Sequence, residues 1–405
     1  MANFHKLLKA YWMILIIVYQ SSIKQLVSHL LLLIFLTSVP AIAEEKMAFA
    51  TLPISPALKA HAYILQDFHS DRLLIQKNID ERLEPASLTK IMTAYIVFHA
   101  LREGRIQLTD KVKISEKAWR ATGSRMYLEV DTEASVEQLL KGMIIQSGND
   151  ASIALAEYVA GSEEMFVSLM NEQARRWKLT NTHYTNTTGL PNAQHYSSVK
   201  DLAKIAQQLI REFPKYYQWY SEQQFTYNGI TQHNRNPLLK WDKNVDGMKT
   251  GYTESAGYCL IASALRGKMR LIAIVLGENN KKSRFEDTKR MLNYGFQFFE
   301  TYLLYKAKQQ LTTDRVWYGD PAEIQLGLWE PLYLTLIKGQ YKLLNATVHI
   351  NKPVIAPSTV GEVHGKLIVT LADKIIAERP LVALHDVPKT HVLKQFIDHI
   401  WLQFH

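Results

Sequence analysis

The chain has 405 residues, 47% of them hydrophobic, a net charge of +9 and a single cysteine. That length suits two domains with cores of their own, and one cysteine excludes an internal disulfide or a zinc site built on several thiolates. The basic residues are scattered among acids instead of clustering with aromatics. Nucleic acid is therefore not an expected partner, whereas anionic lipid or cell-wall polymer is compatible with the charge.

Two apolar runs open the chain, Tyr11 to Tyr19 and Leu30 to Val39, each short of the about 20 residues that span a bilayer. The second leads into Pro40-Ala41-Ile42-Ala43 and reads as the core and cleavage site of an export signal over 1–43. The stretch before it is long for a signal. Translation from Met13 would shorten it, and an uncleaved anchor is the alternative.

A strand pair is predicted over 62–65 and 73–75, joined across His69-Ser70-Asp71. Pro85-Ala86-Ser87-Leu88-Thr89-Lys90 then closes a polar stretch and opens a helix that runs to Gly104, with Leu88, Ile91, Met92, Tyr95 and Ile96 on one face. The span 111–131, holding Trp119, Gly123 and Tyr127, reads as a loop near a site. Helix 136–146 breaks at Ser147-Gly148-Asn149, helix 150–159 starts at once, and two more fit 163–177 and 199–211. Ser198 followed by Asp201 reads as a capping box for the last of them.

From Val245 the pattern becomes that of strands, over 245–251, 257–264 and 270–277, the last two joined at Arg266-Gly267-Lys268 as antiparallel neighbours. A helix from Ser283 to about Lys306 follows. Strands at both ends of a helical middle argue an α+β fold over 44–305, an antiparallel sheet with a helical layer. Residues 306–386 carry short β-rich runs broken by Gly-Asp-Pro, Lys-Gly and Asn-Lys-Pro, the pattern of a small all-β domain. In 387–405, Val392, Leu393, Phe396, Ile397, Ile400, Trp401 and Phe404 form one helical stripe. That helix is too short and polar to span a membrane but suits its surface; docking on its own domain or on a partner is the alternative.

Chemistry concentrates at Ser87. A serine in a first helical turn with a lysine three residues on stacks a hydroxyl over an amine, and free N–H groups at the helix start can face an oxyanion. Spacing alone is weak, because a chain this long holds roughly one or two Ser-x-x-Lys pairs by chance. Ser21/Lys24 and Ser197/Lys200 are two such pairs. Two further triplets accompany Ser87 and Lys90. Ser147-Gly148-Asn149 lies between helices and is the chain's only Ser-x-Asn; Lys249-Thr250-Gly251 rides or ends a strand and is its only Lys-Thr-Gly. Taken singly, the first reads equally as a C-cap followed by an N-cap, and the second as the end of a hairpin strand.

In this order and context, the three triplets resemble the active-site signature of penicillin-recognising serine enzymes, with Ser-Gly-Asn as the middle member. The runs 85–93, 146–151, Asn234-Arg235-Asn236 and 245–251 are similar to low-molecular-mass penicillin-binding proteins of the D-alanyl-D-alanine carboxypeptidase type. So are Val360-Gly361-Glu362-Val363, Arg379-Pro380-Leu381-Val382 and the terminal helix, so that the likeness runs from about Ala57 to the end.

The resemblance implies Ser87 as the acyl-forming nucleophile and Lys90 as its base, its amine made neutral by burial and by Lys249 as a second cation. Ser147 would relay a proton to the departing amine, while Asn149 orients Lys90 and the substrate amide. The backbone N–H groups of Ser87 and Tyr252 would form the oxyanion hole. Thr250, beside Lys249 and Gly251, would grip the terminal carboxylate with Arg235 or Arg270. Tyr252 stands where relatives often carry His, and Cys259 reads as core.

The activity implied is removal of the terminal D-alanine from peptidoglycan stem pentapeptides, with β-lactams as covalent inhibitors on Ser87. Its expected location is the periplasmic face of the inner membrane, reached through the C-terminal helix. None of the 14 histidines has an obvious ligand pair, so no metal or cofactor is expected. A DD-endopeptidase shares the triplets. A class A-like β-lactamase needs a Glu-activated water, and no Glu-x-x-Leu-Asn follows the second triplet. A wall-binding protein with an idle pocket would have no use for the intact triplets.

Overall fold

The segments Gly257–Arg266 and Met269–Glu278 are almost unbroken apolar runs, as strands covered on both faces require. The computed structural model describes Trp12, Met13 and residues 54–404. Apart from those two residues, the expected export segment lies outside them, as does the Ser21/Lys24 pair. The chain divides into two units, Met1–Leu52 and Pro53–His405, and the second holds all the elements named below.

In order, its elements include β1 (Ala62–Asp67), β2 (Leu73–Lys77), a 3₁₀ turn Ala86–Thr89 running into α1 (Lys90–Arg102), α2 (Val136–Ile145), α3 (Asn149–Ala160), α4 (Glu163–Arg176) and α5 (Val199–Glu212). A hairpin of β3 (Gln224–Tyr227) and β4 (Ile230–His233) follows, then β5 (Val245–Thr253), β6 (Gly257–Arg266), β7 (Met269–Glu278) and α6 (Lys281–Phe298). The main sheet is antiparallel, in the order β2-β1-β7-β6-β5. Side chains alternate across it. Ile64, Ile261, Ile272 and Ile274 join Ile91, Val97, Leu202 and Leu209 of the helical cluster, while Leu65, Leu260, Leu271 and Val275 pack with Met291, Leu292 and Phe296 of α6. The fold is α+β as expected, with helices on both faces.

Local signals set the helix starts. Ser135 and Gln138 form a reciprocal capping box at α2, and the Ser162 and Ser198 hydroxyls cap α4 and α5. The helix expected to reach Lys306 instead stops at Phe298, and strand β8 (Phe299–Tyr305) starts at once. The β-rich part therefore begins at Phe299. It continues through β9 (Gln310–Trp317), β10 (Glu323–Gly327), β11 (Leu332–Ile337), β12 (Leu344–Ile350), β13 (Val354–Ile355), β14 (Val363–Leu371) and β15 (Lys374–Ala383) to helix α7 (Val392–Leu402). β8 pairs with β11, and the rest form a sheet in the order β12-β14-β15-β10-β9-β13. Asp67 ties the two parts together, accepting backbone N–H bonds from His69 and Ser70 and a hydroxyl bond from Thr301 of β8.

Helix α7 docks through its polar side. Buried Asp398 accepts from Arg315 Nη2 at 2.8 Å and from the Tyr318 N–H at 2.9 Å, and Lys394 donates to the Gly319 carbonyl. The apolar stripe points outward, with Leu393 69%, Phe396 63% and Trp401 55% exposed. No helix among the described residues is long and apolar enough to cross a membrane.

Candidate active site

The three triplets meet beside β5, the edge strand of the main sheet. A cleft of about 620 Å³ is lined by Ser87, Ser147, Arg235, Thr250, Tyr252 and Arg284, among others. Two glycines set how closely the walls approach Ser87. A methyl group at Gly251 would lie 3.0 Å from the Pro85 carbonyl oxygen and 3.3 Å from Ser87 N; one at Gly189, where φ is +81°, would lie 1.8 Å from the Ala86 oxygen. Only a bare Cα lets β5 and the 187–189 loop press on the turn from both sides. Behind the turn, Thr89 donates to the Ala86 carbonyl and meets His195 Nε2 at 2.8 Å. Burial holds His195 down to about 4.

Lys90 begins α1 and is 1% exposed. Its Nζ lies 2.7 Å from Asn149 Oδ1, 2.6 Å from the Thr188 carbonyl and 3.1 Å from Ser87 Oγ. The first two atoms can only accept, whereas a hydroxyl can also donate. A neutral amine that donates its two N–H bonds to Asn149 and Thr188 therefore turns its lone pair to the Ser87 hydroxyl. Burial, and then the Arg235 guanidinium, lower Lys90 from 10.5 to about 7, with Asp150 opposing them. Lys249, equally buried, donates to the Thr250 carbonyl; burial and the charges of Lys90, Arg235 and Arg284 hold it well below the ordinary lysine value. Arg235 presses on both lysines, a role the sequence assigned to Lys249 alone.

Ser147 adopts φ +74°, unusual for a residue with a side chain. Its hydroxyl is buried in the cleft wall with no hydrogen-bond partner among the described residues. Asn149, the first residue of α3, donates its side-chain N–H to the Thr122 carbonyl at 2.6 Å. Thr250 lies on the cleft wall, and the Tyr252 ring packs at a tilt of 36° against Tyr258, with ring centroids 4.4 Å apart. Cys259 is buried in the helix-side core.

Of the two arginines offered as carboxylate grips, only Arg235 lines the cleft, its Nε donating to the Gln146 carbonyl. Arg270 is a correction. Its two Nη atoms bind both oxygens of Asp246, at 2.8 and 2.7 Å, and Nη1 also reaches Ser263 Oγ. A bidentate partner on the neighbouring part of the sheet holds it away from the cleft. Arg284 takes a place there that the sequence did not give it. It sits on α6, nearly buried, with Nη1 bound to the Gly251 and Cys259 carbonyls and Nε unpartnered. The decoy pair comes apart: Ser197 bonds Thr182, and Lys200 bonds Asp80.

Residues 49–280 match the family described as D-alanyl-D-alanine carboxypeptidase, and residues 299–389 match the penicillin-binding protein 5 C-terminal domain. The chain is 43% identical over 382 residues to the D-alanyl-D-alanine carboxypeptidase DacC of Escherichia coli (strain K12), covering 92% of this chain and 94% of that one. It is 41% identical over 369 residues to DacA of Haemophilus influenzae, covering 89% and 93%. Among solved structures it is similar to penicillin binding protein 5 from Haemophilus influenzae, with a TM-score of 0.80, 42% identity and 83% and 99% of the two chains covered. It is also similar to penicillin-binding protein D2 from Listeria monocytogenes in its ampicillin-bound form, with a TM-score of 0.56, 30% identity and 60% and 99% covered. With its fold, its cleft and these relatives in agreement, the chain belongs to the D-alanyl-D-alanine carboxypeptidase family of serine-type peptidases.

Proposed function

We propose that Ser87 takes the acyl group of a peptidoglycan stem pentapeptide, releases its terminal D-alanine and is then freed by water. The observation that carries this reading is the Lys90 amine, whose two acceptor partners leave its lone pair for the Ser87 hydroxyl. Neutral Lys90 accepts that proton as Oγ attacks the peptide carbonyl. The backbone N–H groups of Ser87 and Tyr252 hold the oxyanion. The C–N bond then breaks, and the proton passes through the Ser147 hydroxyl to the departing amine. Arg235, Arg284 and Thr250 hold the carboxylate of the leaving D-alanine, and Lys249, buried behind them, fixes the strand there by its bond to the Thr250 carbonyl. In the second half, water gives its proton to Lys90, attacks the ester and restores Ser87. A β-lactam acylates Ser87 by the first half of this route.

The protein is proposed to work at the periplasmic face of the inner membrane, exported by residues 1–43 and attached by α7. Support comes from the outward apolar stripe of α7, whose polar side is bonded to the β-rich part through Asp398 and Lys394.

The reading is tested by labelling with a fluorescent penicillin, followed by D-alanine release from a stem pentapeptide. Wild type is expected to label covalently and release D-alanine, and Ser87→Ala to do neither. Full labelling of Ser87→Ala overturns the assignment; cleavage of cross-linked peptides in place of D-alanine release would make the enzyme an endopeptidase.

A further inference from the structure

The span 111–131, predicted as a loop, holds a short strand at Lys111–Lys113 and a helical turn at Glu116–Trp119, and the loop that follows them is held down by a residue the mechanism has not used. Asp150, in the first turn of α3, is 1% exposed. Its Oδ1 accepts the N–H of Met126 at 3.0 Å and of Ala151 at 2.9 Å, and its Oδ2 accepts the N–H of Leu128 at 3.2 Å. Among the described residues, no lysine, arginine or histidine pairs with it. The loop in turn holds Asn149, whose backbone N–H donates to the Ser124 carbonyl at 2.7 Å and whose side-chain N–H donates to the Thr122 carbonyl at 2.6 Å.

A carbonyl can only accept, so Thr122 demands the nitrogen end of the Asn149 amide and leaves the oxygen end for Lys90. Without the loop, nothing in this arrangement would stop the amide from rotating and offering N–H groups to an amine. Lys90 would then lose one of the two acceptors that turn its lone pair to Ser87.

Resting on the reading of Ser87 and Lys90 given above, we propose that Asp150 is a positioning residue. Its carboxylate clamps the 122–128 segment onto the start of α3, thereby fixing which end of Asn149 faces Lys90, and its negative charge backs the Lys90 amine. The charges around that amine come from several elements: Arg235 from the segment after β4, Lys249 from β5 and Asp150 from α3, with His195 neutral behind the turn. The cations favour loss of the Lys90 proton and Asp150 opposes it, so removing the acid makes the amine easier to deprotonate.

The test is the pH profile of penicillin acylation for wild type, Asp150→Asn and Asp150→Glu, each checked for folding by near-UV circular dichroism. Acylation of the wild type is measured first. Its absence refutes the nucleophile assignment itself, separately from the clamp. Asp150→Asn keeps the shape, but its amide nitrogen meets backbone N–H groups, donor to donor. Its plateau rate is expected to fall on the order of 10- to 100-fold, the scale of a small misplacement of a reacting group. Its acidic limb is expected to move down by roughly half a pH unit or more. A loss of packing alone would slow the reaction without moving the limb. Asp150→Glu keeps the charge and displaces it by one methylene, so the plateau should drop with the limb in place. An unmoved limb in folded Asp150→Asn overturns the proposal. Should that variant not fold, a wild-type plateau in Asp150→Glu overturns it instead.

Discussion

With Lys90 as the base proposed above, acylation of Ser87 should switch on with pH near 7, where that amine is half neutral. The lowering of Lys90 from 10.5 to about 7 corresponds to roughly 5 kcal/mol of added preference for the neutral amine. At pH 7 about half of the amines then carry a lone pair, against about 1 in 3000 for an ordinary lysine. At pH 5 the fraction is about 1%, so the second-order acylation rate should fall about 50-fold between pH 7 and pH 5. His195, held down near 4, lies too low to cause such a limb. The charge of Lys90 helps to lower Lys249, so the protonation states of the two amines are linked. The assay is stopped-flow acylation by a fluorescent penicillin from pH 5 to 9, repeated with Arg235→Gln. Removing that guanidinium takes away the largest charge effect lowering Lys90, so the limb should move up in pH. A rate flat from pH 5 to 8, or a limb near 10, would refute a neutral Lys90 as the base.

Two other perturbations follow from the packing. Gly251→Ala places a methyl 3.0 Å from the Pro85 oxygen, 3.1 Å from Ala86 Cβ and 3.3 Å from Ser87 N. It should cost about 1–3 kcal/mol in chemical denaturation and slow acylation on the order of 100-fold; wild-type acylation would show that β5 does not set the cleft's width. Phe396→Asp with Trp401→Asp removes two exposed members of the α7 stripe, each worth about 1.5–3 kcal/mol when buried in lipid. Sedimentation with anionic phospholipid vesicles should fall about 100-fold or more in affinity, with penicillin acylation unchanged; unaltered sedimentation would refute attachment through α7.

That the three triplets gather in one place was readable because the chemistry proposed for them restricts residue type: little but a lysine serves beside Ser87, and little but a glycine fits where β5 meets the turn. Arg284 was not readable. It lies in Lys281-Lys282-Ser283-Arg284, an ordinary basic helix start, and only the return of α6 across β7 and β6 brings it to the Gly251 carbonyl. The Thr188 carbonyl is hidden for a different reason, since a main-chain acceptor leaves no mark on residue type. Arg270 was placed in a strand correctly, but neither period nor propensity says that Asp246 waits across the sheet to hold it. The end of α6 was missed because Tyr294, Phe298 and Tyr302 continue a helical stripe while Phe299, Thr301 and Leu303 begin an alternating one. No glycine or proline marks the change.

Helix α7 is folded and latched to the β-rich part without any lipid. A free peptide bearing the same stripe would order its backbone on arrival, at about 1–2 kcal/mol per residue. Here Asp398 and Lys394 have fixed the 11-residue rod through bonds that do not touch the outward face. Under the attachment proposed above, landing on a bilayer is a rigid-body event, and residence time should track the depth of the inserted rings and not a coil-to-helix transition. An enzyme moored as proposed would hop between patches of membrane without unfolding its mooring.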